Sequence, residues 1–302
     1  MEHVLTTIYT AAEVAAIPLF QSSAARRMLM PQDADEHGRL IADTVAAAWT
    51  ANHGAAGLDV VVGTVAAMAF LPVLDPEAGS LAGAVAGLRP GDLCQLLDRV
   101  WQQMYWALPA HVERMRPLRS WLDAPEAWQA AGALLTAQTC IRTGLLEFTG
   151  DRERAVGCDL LGRLMQQLRG RADKDAVGAF HTPRGAAVLM AEILEVGSAD
   201  GIIMEPAAGS GALWRAVAAD LQFRGQDPAE KTWVGVEIDA LSAAVLVANS
   251  VIWRLGSRVL VARADAIREP DSGVAAALAE HRAAYARRAA LLDAAHTAAS
   301  AG

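Results

Sequence analysis

Three acidic residues, each at the end of a short apolar run, and one glycine loop carry the chemistry of this sequence. The first run, Ile202-Ile203-Met204, leads to Glu205 and then to Pro206-Ala207-Ala208-Gly209-Ser210-Gly211. The second, 233–236, ends at Glu237-Ile238-Asp239, and the third, 259–262, precedes Asp265-Ala266. Ligands of open α/β sheets bind where parallel strands end, and glycines there let the backbone turn tightly and approach a ligand without side-chain clash. Glu205 can meet a cationic amino group. Glu237 can accept both hydroxyls of a ribose, because a carboxylate is a bidentate acceptor. Ile238 offers an apolar face to an adenine ring, and Asp265 can accept from its exocyclic amine. A cationic amino acid joined to ribose and adenine is S-adenosylmethionine, and that cofactor is the expectation.

Each feature has a plainer reading when taken alone. A single acid at a strand end serves equally well as a loop solubiliser or a helix cap, and a glycine pair can mark an ordinary strand-to-helix turn. Three acids at successive strand ends, with glycines only at the first, weaken coincidence. A dinucleotide fingerprint is the rival, but its third glycine would fall at Trp214, whose bulk prevents close helix-strand packing.

Two regions must position these residues. Residues 35–170 are rich in alanine and leucine at three- and four-residue spacing, with turn signals at Gly54, Pro72 to Pro76, Pro90-Gly91, Pro109 and Pro125. That pattern predicts a helical domain over 1–170, closing with one amphipathic helix over 155–168. Beyond a polar linker at 171–178, the order helix, strand, helix, strand, helix, strand predicts a partial doubly wound domain over 171–302. The fold class is therefore α/β: a helical N-terminal domain, about three parallel strands with crossover helices, and a C-terminal helix over 275–299.

Composition excludes several function classes. A net charge of -8 argues against holding nucleic acid by bulk electrostatics. Arginines do bunch at Arg114, Arg116 and Arg119, and again at Arg163, Arg169 and Arg171 with Lys174, for which a solvated helix face is the plain reading. Cys94, Cys140 and Cys158 are too few and scattered for a disulfide framework, and no His/Cys cluster has metal-ligand spacing. They read as reduced, buried thiols of a cytoplasmic protein. The apolar run 58–74 contains Asp59 and Pro72 and reads as a buried core helix, not a membrane span. Residues 10–17, followed by Arg26-Arg27, have poor spacing for a helix-turn-helix, with Pro18 interrupting the turn.

The ordered set Cys158-Asp159-Leu160-Leu161-Gly162-Arg163-Leu164, Gly178-Ala179-Phe180-His181-Thr182-Pro183, the loop from Glu205 to Gly211, Gly235 to Asp239 and Ala264-Asp265-Ala266 resembles the N6-adenine DNA methyltransferases, especially modification subunits of type I restriction systems. The resemblance covers residues 155–267. It implies S-adenosylmethionine as cofactor and places Phe180, Thr182 and Pro183 beside it, with Glu205, Pro206, Ala207, Gly209, Gly211, Glu237, Ile238, Asp265 and Ala266 completing the site. Glu205 stands where the family more often has aspartate, and His181 where tyrosine is common. The family's Asn/Asp-Pro-Pro-Tyr/Phe loop, which accepts hydrogen bonds from the target amine and stacks on the flipped base, has no match after Asp265. No catalytic residue is therefore assigned, and little DNA methylation is expected from these residues alone.

Ending the sheet after its third strand leaves the first strand as an edge, which invites a protein partner or a second copy. Three readings follow: a cofactor-binding half completed by another chain, a non-catalytic scaffold that keeps the methylase fold and contacts DNA or protein in a defence or modification complex, or a methyltransferase for another acceptor.

Overall fold

The computed structural model describes residues 30–75, 82–169, 182–194, 201–269 and 271–300. Residues 10–17, 171–178 and Phe180 lie outside them. The helical region opens with α1 (Ala34–His53), whose first turn is capped by the Asp33 carboxylate accepting from Glu36 N–H at 2.8 Å. Helix α2 (Leu58–Leu74) is apolar on every side and buried from Val60 to Pro72. It is the expected core helix, and among the described residues no helix is long and apolar enough to cross a membrane. Pro72 does not turn the chain as expected: it sits in the last turn of α2, which ends at Leu74.

Around α2 lie α3 (Ala82–Ala86), α4 (Pro90–Ala107), α5 (Pro109–Arg114), α6 (Arg116–Arg119), a 3-10 turn (Ser120–Asp123), α7 (Ala127–Arg142) and α8 (Leu145–Gly150). With α1 and α2 they supply large buried side chains, among them Trp49, Phe70, Trp101 and Phe148. The single helix expected over 155–168 is two helices, α9 (Arg152–Gly157) and α10 (Leu160–Leu168). The break falls at Cys158-Asp159 because the Asp159 carboxylate accepts from Gly162 N–H at 2.9 Å, which starts a new helix instead of continuing the old one.

The second half runs α11 (Arg184–Leu194), β1 (Ile202–Glu205), α12 (Ala212–Phe223), β2 (Thr232–Glu237), α13 (Ala240–Ile252), β3 (Val259–Arg263) and α14 (Ser272–Ser300). The strands form one parallel sheet in the order β1-β2-β3, with Met204 opposite Val234 and Val234 opposite Leu260. Parallel strands need crossover helices, and α12 and α13 supply them. The core is shared by both halves: α2 and α10 each pack against α13. Among the described residues strand β1 pairs on one side only, as expected for an edge, and there Ile202 is 68% and Met204 54% exposed. Helix α11 packs on α12 and leaves Leu189 and Ile193 largely exposed.

Helix α14 lies on β3 and α5, tied by ion pairs of Arg114 with Glu280 and of Arg287 with Glu113. Arg119 is paired with Asp98 and Asp123. Two of the three arginines in the first basic cluster are thus committed to neighbouring acids. Cys94, Cys140 and Cys158 are free and buried, and burial pushes the Cys140 and Cys158 thiols up to about 12.

His111, on α5, is 2% exposed, and burial with the nearby His281 lowers it from 6.5 to about 4. A histidine with a depressed folded value keeps its stabilising contribution above the unfolded value of 6.5 and loses it as pH falls toward 4. The loss on going from neutral pH to pH 4 is expected to approach about 3 kcal/mol. Denaturant titrations across that range should show it, and His111→Leu should flatten that part of the profile.

Candidate functional site

The glycine loop leaves β1 at Glu205, crosses the carboxyl end of β2 and enters α12. Ala208 N–H donates to Val236 O at 3.0 Å, and Gly209 N–H donates to a Glu237 carboxylate oxygen at 2.8 Å. The other Glu237 oxygen accepts from Asp239 N–H at 2.8 Å, and the Glu237 carbonyl accepts from Ala264 N–H at 3.1 Å. Glu237 therefore joins all three strand ends. Each of its carboxylate oxygens still has acceptor capacity for an incoming hydroxyl.

Gly209 and Gly211 both have positive φ, +55° and +100°. A Cβ on Gly209 would meet nothing within 4 Å, so the loop faces open space there. A Cβ on Gly211 would lie 2.7 Å from Leu246 Cδ1 and 3.0 Å from a ring carbon of Trp253. The first glycine leaves room above the loop, and the second lets the loop press onto α13. Pro206 and Ala207 are exposed at the strand end. Among the described residues the Glu205 carboxylate receives only a long bond from Ala207 N–H, 3.4 Å, and burial pushes its carboxyl up. Ile238 is 57% exposed at the end of β2.

Asp265 caps the turn after β3: one oxygen accepts from Ile267 N–H at 3.0 Å and Arg268 N–H at 3.2 Å, and the other lies 3.6 Å from the Arg268 guanidinium. Ala266 packs, partly buried, against the cluster of Val236, Ala262, Ala264 and Ala277. Thr182 and Pro183 line a cavity of about 300 Å³ together with Ser210, Ala212, Arg163 and Gln166. The fold thus brings Thr182 and Pro183 to the glycine loop, and Glu205, Glu237 and Asp265 to adjacent strand ends. Phe180 lies outside the described residues. No group of His, Cys, Asp or Glu suited to a metal occurs among the described residues.

A second set of residues holds the loop from below. Asp159 accepts from Ser210 Oγ at 2.5 Å and from Asn249 Nδ2 at 2.7 Å, in addition to Gly162 N–H. Asn249 Nδ2 also donates to Ser210 O at 2.8 Å. Both neighbours are acceptors, which fixes the orientation of the amide. A Cβ on Gly162 would lie 2.3 Å from Ser210 Oγ, so only glycine admits this approach of α10 to the loop. Arg215 on α12 reaches back to Val156 O at 3.2 Å. Burial pushes the Asp159 carboxyl up, against the hydrogen bonds from Ser210, Gly162 and Asn249 that favour the anion. At the next strand end Arg169 pairs with Asp239 at 2.5 Å. Sequence reading gave Asp159, Gly162, Asn249 and Asp239 no role; the one available signal was an acid three residues before a glycine at a helix start.

Among solved structures, the chain is similar to a type I restriction-modification system methyltransferase subunit from Streptococcus thermophilus, with 16% sequence identity and a TM-score of 0.46. That likeness covers 79% of this chain and 60% of that one, so this chain spans under two thirds of its length. None of the curated proteins compared matches the chain. The family model for N-6 DNA methylases matches residues 158–278, a stretch that begins at Cys158, takes in the glycine loop and the whole sheet, and ends within α14. Residues 158–278 of this chain are thus similar to the N-6 DNA methylase family.

Proposed function

We propose that this chain is the S-adenosylmethionine-binding portion of a DNA adenine N6-methyltransferase-like protein. The observation that carries the reading is the placement of Glu205, Glu237 and Asp265 at the ends of three adjacent parallel strands, around a glycine loop open above Gly209. On this reading Glu205 would meet the amino group of its amino acid part, Glu237 has lone pairs for the ribose, Ile238 and Asp265 would meet the adenine, and Thr182 and Pro183 would pack beside the cofactor. The bound cofactor would supply an activated methyl group. The chain's own task is to hold and orient it.

The loop that positions the target amine is not identifiable among residues 1–302, so on this reading it comes from outside them. The exposed edge of β1, with Ile202 and Met204, and the exposed Leu189 and Ile193 of α11 are the surface on which a completing strand and helix would sit. A partner chain or a second copy fills it, and DNA is the substrate the family implies. Sedimentation at micromolar concentration is expected to show self-association that Ile193→Glu with Ile202→Lys abolishes, or capture of a partner sensitive to the same pair. A monomer indifferent to both, with its β1 amides protected from exchange, would remove this part of the reading.

The absence of an identifiable Pro-Pro-aromatic loop favours a second reading, a non-catalytic scaffold that retains the methylase fold. Calorimetric titration of the folded chain with S-adenosylmethionine separates the two. Saturable binding at micromolar concentration supports the first, and no binding supports the scaffold.

A further inference from the structure

A cavity of about 360 Å³ lies between α5, α13, β3 and α14, and none of its lining residues belongs to the strand-end site. Its floor is apolar: Val247 from α13, Val259, Leu260 and Val261 from β3, and Ala277 from α14. Its polar groups are unevenly matched. The carboxylates of Glu113 and Glu280 are each engaged by an arginine, Arg287 and Arg114 respectively. Arg116, also in the lining, makes no ion pair or hydrogen bond among the described residues. His111 Nε2 is buried with no hydrogen-bond partner among them, and His281 faces the same cavity.

Buried polar atoms are nearly always satisfied, and an exception needs a reason. The volume lies in the range of small-molecule sites, which combine apolar walls with a few convergent polar groups. Here the uncommitted groups are one guanidinium and two imidazoles, with both carboxylates already neutralised. That balance selects an acceptor of negative charge, and the floor selects an apolar body.

We propose that this cavity binds a small organic anion, a carboxylate or phosphate on a compact apolar group, held by Arg116, His111 and His281. Such a ligand would bridge the helical region to β3 and α14 and so act on how the two halves pack, at a distance from the cofactor loop.

The test uses the isotopically labelled full chain, with the ring signals of His111 and His281 followed during addition of benzoate or of inorganic phosphate, at ionic strength fixed with chloride. No cofactor is needed, so the outcome is independent of S-adenosylmethionine binding. Saturable shifts of both histidines with benzoate, weaker with phosphate, are expected. Arg116→Ala, at an exposed position, should weaken benzoate binding at least about tenfold without moving the denaturation midpoint, and His281→Ala should weaken it as well. Shifts that do not saturate, equal binding of phosphate and benzoate, or affinity unchanged in both variants would overturn the proposal.

Discussion

Asp159→Ala is expected to destabilise the protein by about 3 kcal/mol, while Asp159→Asn costs under about 1 kcal/mol. The alanine variant strips the partner from Ser210 Oγ and from Gly162 N–H, and leaves Asn249 Nδ2 only its bond to Ser210 O. All of these groups are wholly or mostly out of water, so the loss is that of unsatisfied buried donors, not of one surface contact. Asparagine keeps a carbonyl for Gly162 and Asn249, and its NH₂ can donate to the Ser210 hydroxyl, which then acts as acceptor. It also removes the cost of burying a charge. That cost is visible in the direction of the Asp159 shift: burial raises it, so the ionised form is disfavoured in the folded state and the wild-type protein gains from protonation as pH falls through the raised value. The Asn variant should lack that contribution. Because Ser210 lies between the two loop glycines, Asp159→Ala should also weaken S-adenosylmethionine binding, with Asn restoring most of it. Denaturant melts and calorimetry on the same three proteins measure both effects. Equal stability of wild type and the alanine variant would mean that the network does not hold the loop.

The sheet and the acids at its strand ends were legible because their signals are local. Apolar runs at 202–204, 233–236 and 259–262 specify parallel strands by themselves, although the first is exposed where a buried strand was expected, and the acid after each run marks a strand end without tertiary information. The edge position of β1 also followed, from the number and order of strands. What escaped was what two distant segments make together. Asp159 and Ser210 are brought together by the packing of α10 under the loop, and no periodicity encodes a contact across that separation. The same cause broke the predicted helix over 155–168: its apolar spacing is continuous, yet the side chain of Asp159 takes Gly162 N–H and sets a new helix start. His111 was equally hidden. It is buried by the packing of α4, α13 and α14 on α5, which no spacing within residues 109–114 encodes.

Glu237→Ala should weaken S-adenosylmethionine binding about a hundredfold, and Glu237→Gln about tenfold. The carboxylate uses one lone pair of each oxygen on the backbone, for Gly209 N–H and Asp239 N–H, which leaves the rest open to the hydroxyls of a ribose. Two hydroxyls donating to an anion contribute about 3 kcal/mol in total, which is about a hundredfold in affinity. Glutamine retains one carbonyl acceptor, but its NH₂ must then face either a backbone N–H or a ribose hydroxyl turned to accept, so roughly half the gain survives. The variants also loosen the loop, since Gly209 N–H loses its partner, and a lower affinity alone would not separate loop damage from ribose contact. A cofactor analogue lacking the ribose hydroxyls makes that separation. If Glu237 binds the ribose, the analogue is already weak with wild type and loses little more with Glu237→Ala; the two losses are coupled. If Glu237 acts only by shaping the loop, the losses add in full, and the ribose must be held elsewhere.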